Sequence, residues 1–430
     1  MEQFIIEGGH PLRGEITATG NKNAALKMLP ACMLTDEPVI LHNVPDIADV
    51  RITAEILQFL GVTIEQLAPN TWRVQAENLQ TTDMPPEKAS QIRGSIVMAG
   101  PLLAREGHLT LPVPGGDVIG RRRLDTHILA LEKLGAQIDY ERGILTMKAK
   151  QLHGANILLD EASVTATENA IMAAVTAKGT TVLRNAASEP HVQNLCHMLT
   201  AMGAQINNIG SNCLTIQGVD KLHGCETRIG ADYMEVGSLI GAAVVTGGEI
   251  TIKEADPEHL DMVALIFRKL GVQWEVRGND IFVPAGQELT IQQDMGNRIP
   301  EIKAQPWPAF PTDLMSVALT VATQAAGSVL FHEWMFDGRL YFTDKLISMG
   351  ARIVLCDPHR ALVYGPARLQ AMANISSPDI RAGMALLLAA LAANGSTTIH
   401  NIRQIDRGYE RVDEKLRTLG AHIERVSDTT

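Results

Sequence analysis

Residues 126–140 read THILALEKLGAQIDY, and this stretch decides the fold. Thr126 to Leu134 mixes apolar and charged residues at helical spacing, so it reads as an amphipathic helix lying on the outside of a core. Gly135 follows as a helix stop, and Ala136 to Tyr140 reads as a strand. The same signature recurs as FLGVTIE around Gly61, AMGAQIN around Gly203, KLGVQWE around Gly271, SMGARIV around Gly350 and TLGAHIE around Gly420. With Gly135 these make six copies, spaced by 74, 68, 68, 79 and 70 residues in a chain of 430. Intervals that even mark an internal repeat of about 72 residues.

Outward from each copy the pattern holds. A turn and a β-rich run precede it: EPVILHNV, GHLTLPVP, GTTVLRNA, GGEITIKE, GSVLFHEW and GSTTIHNI. Upstream of these lie stretches such as NAALKMLPACML, NAIMAAVTA and RAGMALLLAALAA, apolar nearly all round and so expected in the interior. Each unit reads strand, turn, buried helix, strand, outer helix, glycine stop, strand. One such unit cannot bury its apolar helix alone, whereas three grouped together can. The expected fold class is therefore α/β: two inside-out, barrel-like α/β domains, each of three pseudo-repeats, with buried parallel helices and outer sheets. A cleft between the two halves is the expected ligand site. A solenoid is the rival arrangement, disfavoured by the uniform apolarity of the inner helices.

Composition narrows the function. Apolar residues make up 46% and charged residues 20%, and 48 acidic against 37 basic groups leave a formal charge of −11. A diffusely negative chain lacks the basic face that nucleic acid requires, so no nucleic-acid partner is expected and any anionic ligand must meet a local basic cluster. The 17 aromatic residues (8 Phe, 4 Trp, 5 Tyr) are too few for stacking platforms. The longest apolar run, Met384 to Ala393, falls short of a membrane span. No secretory signal is visible in MEQFIIEGGH, so a cytoplasmic location without membrane attachment is expected. Cys32, Cys196, Cys213, Cys225 and Cys356 form no CxxC pair and read as buried free thiols, and the 17 methionines read as core filler. No cofactor and no metal are expected, and composition does not speak to oligomeric state.

The starts of the buried helices are where function should appear, because unsatisfied N–H groups and the helix dipole favour anions there. These starts are Gly20-Asn21-Lys22-Asn23, Gln91-Ile92-Arg93-Gly94-Ser95, Ser163-Val164-Thr165-Ala166-Thr167-Glu168-Asn169, Asp232-Tyr233-Met234-Glu235, Phe310-Pro311-Thr312-Asp313 and Pro378-Asp379-Ile380-Arg381. Asn, Ser, Thr and Asp are ordinary helix caps, and Thr167, Asp232 and Asp379 are read that way. Lys22 and Arg93 fit capping badly, since a cation there opposes the dipole, and they point to a bound anion. The loop Pro114-Gly115-Gly116-Asp117-Val118-Ile119-Gly120-Arg121-Arg122-Arg123 joins glycines to the densest basic run in the chain, and Asp406-Arg407-Gly408-Tyr409-Glu410-Arg411 adds a second basic turn.

GNKNAALKMLPA, PGGDVIGRRRLDTH, SVTATENAIMAA, PAFPTDL and IDRGYERVDEKLRTLGAHIERV together closely resemble the motif series of the enolpyruvyl transferases, and of their sugar-nucleotide branch in particular. The resemblance covers essentially the whole chain. It implies two domains joined by a double crossover, residues 21–229 forming one and residues 1–20 with 230–430 the other, with the active site between them. It implies transfer of enolpyruvate from phosphoenolpyruvate to the 3′-hydroxyl of UDP-N-acetylglucosamine with release of phosphate, an early step of peptidoglycan precursor synthesis. Phosphoenolpyruvate carries a phosphate and a carboxylate, which suits lysine and bidentate arginine. The resemblance assigns Lys22, Arg93, Arg122 and Arg407 to that substrate, Asn23 to alignment of the two substrates, and Arg339 and Arg381 to supporting roles. It places Leu124, Asp125, Ser163, Val164 and Met335 at the sugar nucleotide. Asp313 is implied as acceptor of the 3′-hydroxyl proton. Asp117 stands where many members carry a cysteine. An aspartate there can shuttle a proton but cannot be alkylated as a thiolate, so resistance to the epoxide fosfomycin is expected.

Three positions depart from the family pattern. Thr165 replaces a small residue in SVTATEN, Glu161 stands where a basic residue is usual, and Arg123 stands where proline is common. The reversal at Glu161 is expected to weaken diphosphate binding, with Arg121 or Arg123 able to compensate. Other readings are a paralogue using another acceptor, such as a nucleoside monophosphate or shikimate 3-phosphate, and a silent homologue that only binds UDP-sugars. Domain closure around the anion, with residues 114–120 as the lid, is expected to accompany catalysis.

Overall fold

The structure, a computed structural model, describes residues 2–116 and 123–427. Helices and strands follow the repeat. The third unit is its plainest copy. Strand Asn156–Leu158 leads into helix Val164–Ala174, which returns to the parallel strand Thr180–Arg184. Outer helix Pro190–Ala201 follows, and antiparallel strands Gln205–Asn207 and Cys213–Gln217 complete a four-stranded sheet. Among the described residues there are six sheets, five of four strands and one of three. In the three-stranded one the parallel first strand shrinks to a single bridge, Asp83 to Thr110.

The chain divides into two compact units, residues 2–19 with 231–427, and residues 20–116 with 123–230. Two strands belong to the unit opposite the helix they precede. Arg13–Thr17 precedes helix Lys22–Ala31 but pairs parallel with Glu249–Lys253. Glu226–Arg228 precedes helix Tyr233–Val245 but pairs parallel with Val39–His42. The N-terminal strand Glu2–Glu7 joins the last sheet between Ser396–His400 and His422–Ser427.

The six glycines of the repeat all take left-handed backbone, with φ from +84° to +104°. At the first, Val62 N donates to Leu57 O and Gly61 N to Gln58 O, each at 3.0 Å. The same 6→1 bond recurs as Ala136 to Leu131, Ala204 to Leu199, Val272 to Phe267, Ala351 to Leu346 and Ala421 to Leu416. These are Schellman closures, in which a Cβ-bearing residue would be strained.

The inner helices are buried on every side: in Ile380–Ala392 each residue from Ile380 to Leu391 is buried. Each unit has its own apolar cluster built around three such helices. Gly241 shows how tightly they pack, since a Cβ there would lie 2.9 Å from both Leu388 Cδ2 and Val317 Cγ1. At interior density, truncating a buried leucine such as Leu386 to alanine costs about 2–5 kcal/mol. Among the described residues no helix is long and apolar enough to cross a membrane. Two expectations need correction. Only Cys32 and Cys196 are buried; Cys213 and Cys225 are partly exposed and Cys356 is exposed, because it lies on an edge strand. Met295 is 94% exposed and fills no core.

Candidate active site

In the unit of residues 20–230, Asn21 caps the first inner helix, its Oδ1 accepting from Ala24 N at 2.9 Å. Lys22 is the first helical residue and is buried, with Nζ 2.8 Å from Asp49 Oδ2. Asp49 lies in the first turn of helix Ala48–Phe59, where a carboxylate suits the dipole. Asp49 therefore supplies a counter-charge to Lys22 from within the protein. Asn23, half-buried, follows on the same turn.

Arg93 opens a 3₁₀ run, Arg93–Met98, that passes into helix Ala99–Glu106. Its Nη2 donates to the Arg123 carbonyl at 2.9 Å. Arg123 in turn reaches Asp125 at 3.2 Å and Asp160 at 3.1 Å, and Thr126 Oγ1 donates to Asp160 Oδ1 at 2.7 Å. Leu124 is half-buried and Asp125 exposed. Ser163 caps helix Val164–Ala174, accepting from Ala166 N at 3.4 Å, and Val164 is that helix's half-buried first residue. Thr167 is thus not the cap. It lies inside the helix and is buried, and its Oγ1 accepts from Ala187 N at 2.9 Å, because the helix starts four residues earlier than expected.

His127 links these segments. Asn169 Oδ1 accepts from Gly100 N at 2.6 Å, and its Nδ2 donates to Ile96 O at 2.8 Å and to His127 Nδ1 at 3.1 Å. An accepting Nδ1 assigns the proton to Nε2, which lies 3.0 Å from Thr165 Oγ1. Burial, and secondarily the charge of Arg93, push the His127 pKa down to about 3. The ring is therefore neutral at physiological pH, and Thr165 receives its one N–H.

In the other unit, Asp232 caps helix Tyr233–Val245 and Asp379 caps helix Ile380–Ala392, both as expected. Asp313 lies in the 3₁₀ turn Thr312–Leu314 ahead of helix Met315–Ala322. Its Oδ1 accepts from Arg339 Nη2 at 3.0 Å, and its Oδ2 accepts from Arg381 Nε at 3.1 Å with Arg381 Nη2 also at 3.1 Å. Both arginines are buried, while the Asp313 side chain keeps 24% of its surface exposed. Burial disfavours the charge on Arg381, but Asp313, Tyr409 and Asp232 outweigh it and hold the guanidinium firmly protonated. Ser316 Oγ donates to the Arg381 carbonyl at 3.1 Å, tying two helix starts together. Glu333, fully buried, accepts from Thr312 Oγ1 and, at 2.9 Å, from Met335 N, which positions Met335; burial raises the Glu333 pKa. Arg407 Nη1 donates to Gln404 Oε1 at 3.0 Å. Gly408 must lack a side chain, since a Cβ would lie 2.4 Å from Ile380 Cγ2. Tyr409 is buried, with its hydroxyl 3.0 Å from Ser238 Oγ and its ring 5.4 Å from the Arg381 guanidinium.

Lys22, Asn23, Arg93, Leu124, Asp125, Ser163 and Val164 belong to one unit and Asp313, Met335, Arg339, Arg381 and Arg407 to the other, where Asp313, Arg339 and Arg381 are in direct contact. Asp117, Arg121 and Arg122 lie outside the described residues. Sequence reasoning missed Asp49, Asp160, His127, Glu333 and Tyr409. Asp49 looks like any first-turn carboxylate, and His127 sits in a stretch read only as an amphipathic helix. A histidine at that position was the one available signal.

The EPSP synthase (3-phosphoshikimate 1-carboxyvinyltransferase) family model matches residues 6–416. Over 424 residues the chain is 51% identical to the UDP-N-acetylglucosamine 1-carboxyvinyltransferase of Treponema denticola, covering 99% of each protein. Over 426 residues it is 53% identical to the protein of that name from Bradyrhizobium diazoefficiens, covering 99% of this chain and 98% of that one. Among solved structures, the enolpyruvyl transferase NikO from Streptomyces tendae superposes with a TM-score of 0.87 at 24% identity, covering 99% of each chain.

Proposed function

Because the chain belongs to the EPSP synthase (3-phosphoshikimate 1-carboxyvinyltransferase) family, we propose that it transfers the enolpyruvyl group of phosphoenolpyruvate to the 3′-hydroxyl of UDP-N-acetylglucosamine and releases phosphate. The observation that carries this reading is end-to-end identity of 51–53% with relatives named for that reaction. The family model is described by a shikimate enzyme, but sequence identity places the chain nearer the sugar-nucleotide relatives than that description alone would.

The chemistry assigns work to residues in both units. Lys22, Arg93 and Arg407, with Arg122, neutralise the phosphate and carboxylate of phosphoenolpyruvate. The 3′-oxygen bonds to C2 of phosphoenolpyruvate as its proton passes to Asp313 and a proton from Asp117 arrives at C3. This leaves a tetrahedral intermediate still carrying phosphate on C2. Loss of a proton from C3 re-forms the double bond as the C2–O bond to phosphate breaks, so phosphate departs and the enol ether remains. Asn23 aligns the reactants. Leu124, Asp125, Ser163, Val164 and Met335 line the sugar-nucleotide side. Arg339 and Arg381 do not touch the reacting atoms in this scheme; they hold the Asp313 carboxylate in one orientation from two directions.

Thr165 and Glu161 favour testing a second acceptor class. The Thr165 hydroxyl accepts from His127, and the exposed Glu161 adds negative charge at the start of the same helix. The experiment is phosphate release from phosphoenolpyruvate with UDP-N-acetylglucosamine, a nucleoside monophosphate or shikimate 3-phosphate as acceptor. Turnover with the UDP-sugar alone supports the proposal. Turnover only with another acceptor, or tight UDP-sugar binding without any phosphate release, overturns it.

A further inference from the structure

Glu7 ends the first strand and sits directly opposite His422 in its antiparallel pairing with the last strand. Directly opposed side chains on a sheet face lie within about 5 Å at Cβ, so the register alone sets a carboxylate against an imidazole. His422 Nδ1 is 3.2 Å from Glu7 Oε2. Three residues after Glu7, the chain folds back and delivers His10 onto the same spot. Its ring stacks on that of His422, with centroids 3.8 Å apart and planes 24° from parallel, and its Nε2 is 3.8 Å from Glu7 Oε1.

Two glycines make this return possible. Gly9 has φ +87°, and a Cβ on Gly8 would lie 2.2 Å from the Ala393 carbonyl oxygen. Gly8 N donates to Gly395 O at 3.1 Å and Gly9 N to Leu391 O at 2.8 Å, so the loop is tied to the body of the unit. Backbone bonds at Gly8 and Gly9 thus fix the loop that carries His10.

We propose that Glu7, His10 and His422 form a zinc-binding site at the junction of the first and last strands. One ligand atom from each residue lies within 4.8 Å of the others. Two imidazole nitrogens and a carboxylate oxygen match zinc's preference, and water completes a tetrahedron. Zinc–nitrogen bonds of about 2.0–2.1 Å require the three atoms to draw in and the stacked rings to splay. The Glu7, His10 and His422 side chains keep 62%, 38% and 56% of their surfaces exposed, which leaves them room to change rotamer. Neutral imidazole is the ligand form, so zinc binding is expected to weaken as pH falls and the histidines protonate. Residues 7 and 422 meet only in the folded chain, so bound zinc must stabilise the fold. No sequence spacing signalled the full site, because His422 lies at the opposite end of the chain from Glu7 and His10.

The test is equilibrium dialysis of the metal-stripped full-length protein against Zn²⁺ near pH 7.5, in a Cys356→Ser background that removes the exposed thiol. One tight equivalent is expected, weakened at least about tenfold by His10→Ala and by His422→Ala, and less by Glu7→Gln; even loss of an outer-shell partner costs about 10–100-fold. Zn²⁺ should also raise Tm in the parent but not in the His10→Ala, His422→Ala double variant. Co²⁺ should give the visible absorption of a four-coordinate site. Zinc binding by the double variant as tight as by the parent, or a parent Tm insensitive to zinc, overturns the proposal.

Discussion

Replacing Asp313 by asparagine separates chemistry from architecture. Its carboxylate meets Arg339 at 3.0 Å through one oxygen and Arg381 at 3.1 Å through the other. Asparagine keeps the shape, yet its single amide oxygen can serve only one arginine and its NH₂ faces the donors of the other. Both arginine side chains are about 5% exposed or less, so the lost charge leaves buried guanidinium surface poorly compensated. Breaking a buried pair costs about 3–5 kcal/mol, and partial exposure of Asp313 sets the value near the lower end, about 3 kcal/mol. For a unit of this size that is a fall in Tm of roughly 6–12 °C. The catalytic loss is separate: removing a positioned proton acceptor costs about 10²–10⁴ in rate. Phosphate release at saturating phosphoenolpyruvate and UDP-N-acetylglucosamine, measured well below the variant's Tm, isolates kcat from stability. Asp313→Asn should lose at least a hundredfold in kcat while Arg339→Gln, which leaves the carboxylate in place, loses less. The assignment of Asp313 as proton acceptor is refuted if Asp313→Asn retains kcat within tenfold of the parent, or if its loss merely tracks the unfolded fraction.

Other outcomes follow from the same geometry. Lys22→Met removes the ammonium 2.8 Å from Asp49 and a cation for phosphoenolpyruvate, so kcat/KM for phosphoenolpyruvate should fall roughly 30-fold or more in steady-state kinetics. Fosfomycin should leave the intact mass unchanged after prolonged incubation, because Asp117 offers no thiolate; a stoichiometric adduct at Asp117 in peptide mass spectrometry contradicts this. His127 ionises near 6.5 when unfolded but only near 3 when folded. Between those values the unfolded chain binds a proton that the folded chain does not, so its stabilising contribution is complete above pH 6.5 and declines as pH falls. At pH 5 the loss is about 2 kcal/mol, and denaturant midpoints at pH 7 and 5 should converge in His127→Gln relative to the parent.

The periodic part of this protein was legible because it rests on local rules. A glycine placed after an amphipathic helix closes a Schellman motif whatever surrounds it, and all six repeat glycines do so. The wholly apolar inner helices likewise announced their burial. Helix starts were less secure: Ser163 rather than Thr167 caps its helix, because either hydroxyl satisfies the local pattern and only the chain's approach decides between them. Lys22 shows a similar limit. A cation at a helix start is a misfit in sequence, but a first-turn carboxylate from another helix absorbs the charge.

By itself the sequence determined the repeat, the inner and outer helices, the α/β class and the family motifs, since each depends on residues close together along the chain. Tertiary structure alone decided that Arg13–Thr17 and Glu226–Arg228 exchange sheets, that Asp313 is gripped by Arg339 and Arg381, and that His127 presents its one proton to Thr165. It also decided that Glu7, His10 and His422 share one corner of a sheet. Such pairings join residues tens to hundreds of positions apart, and strand register and helix packing set which of many equivalent polar side chains actually meet.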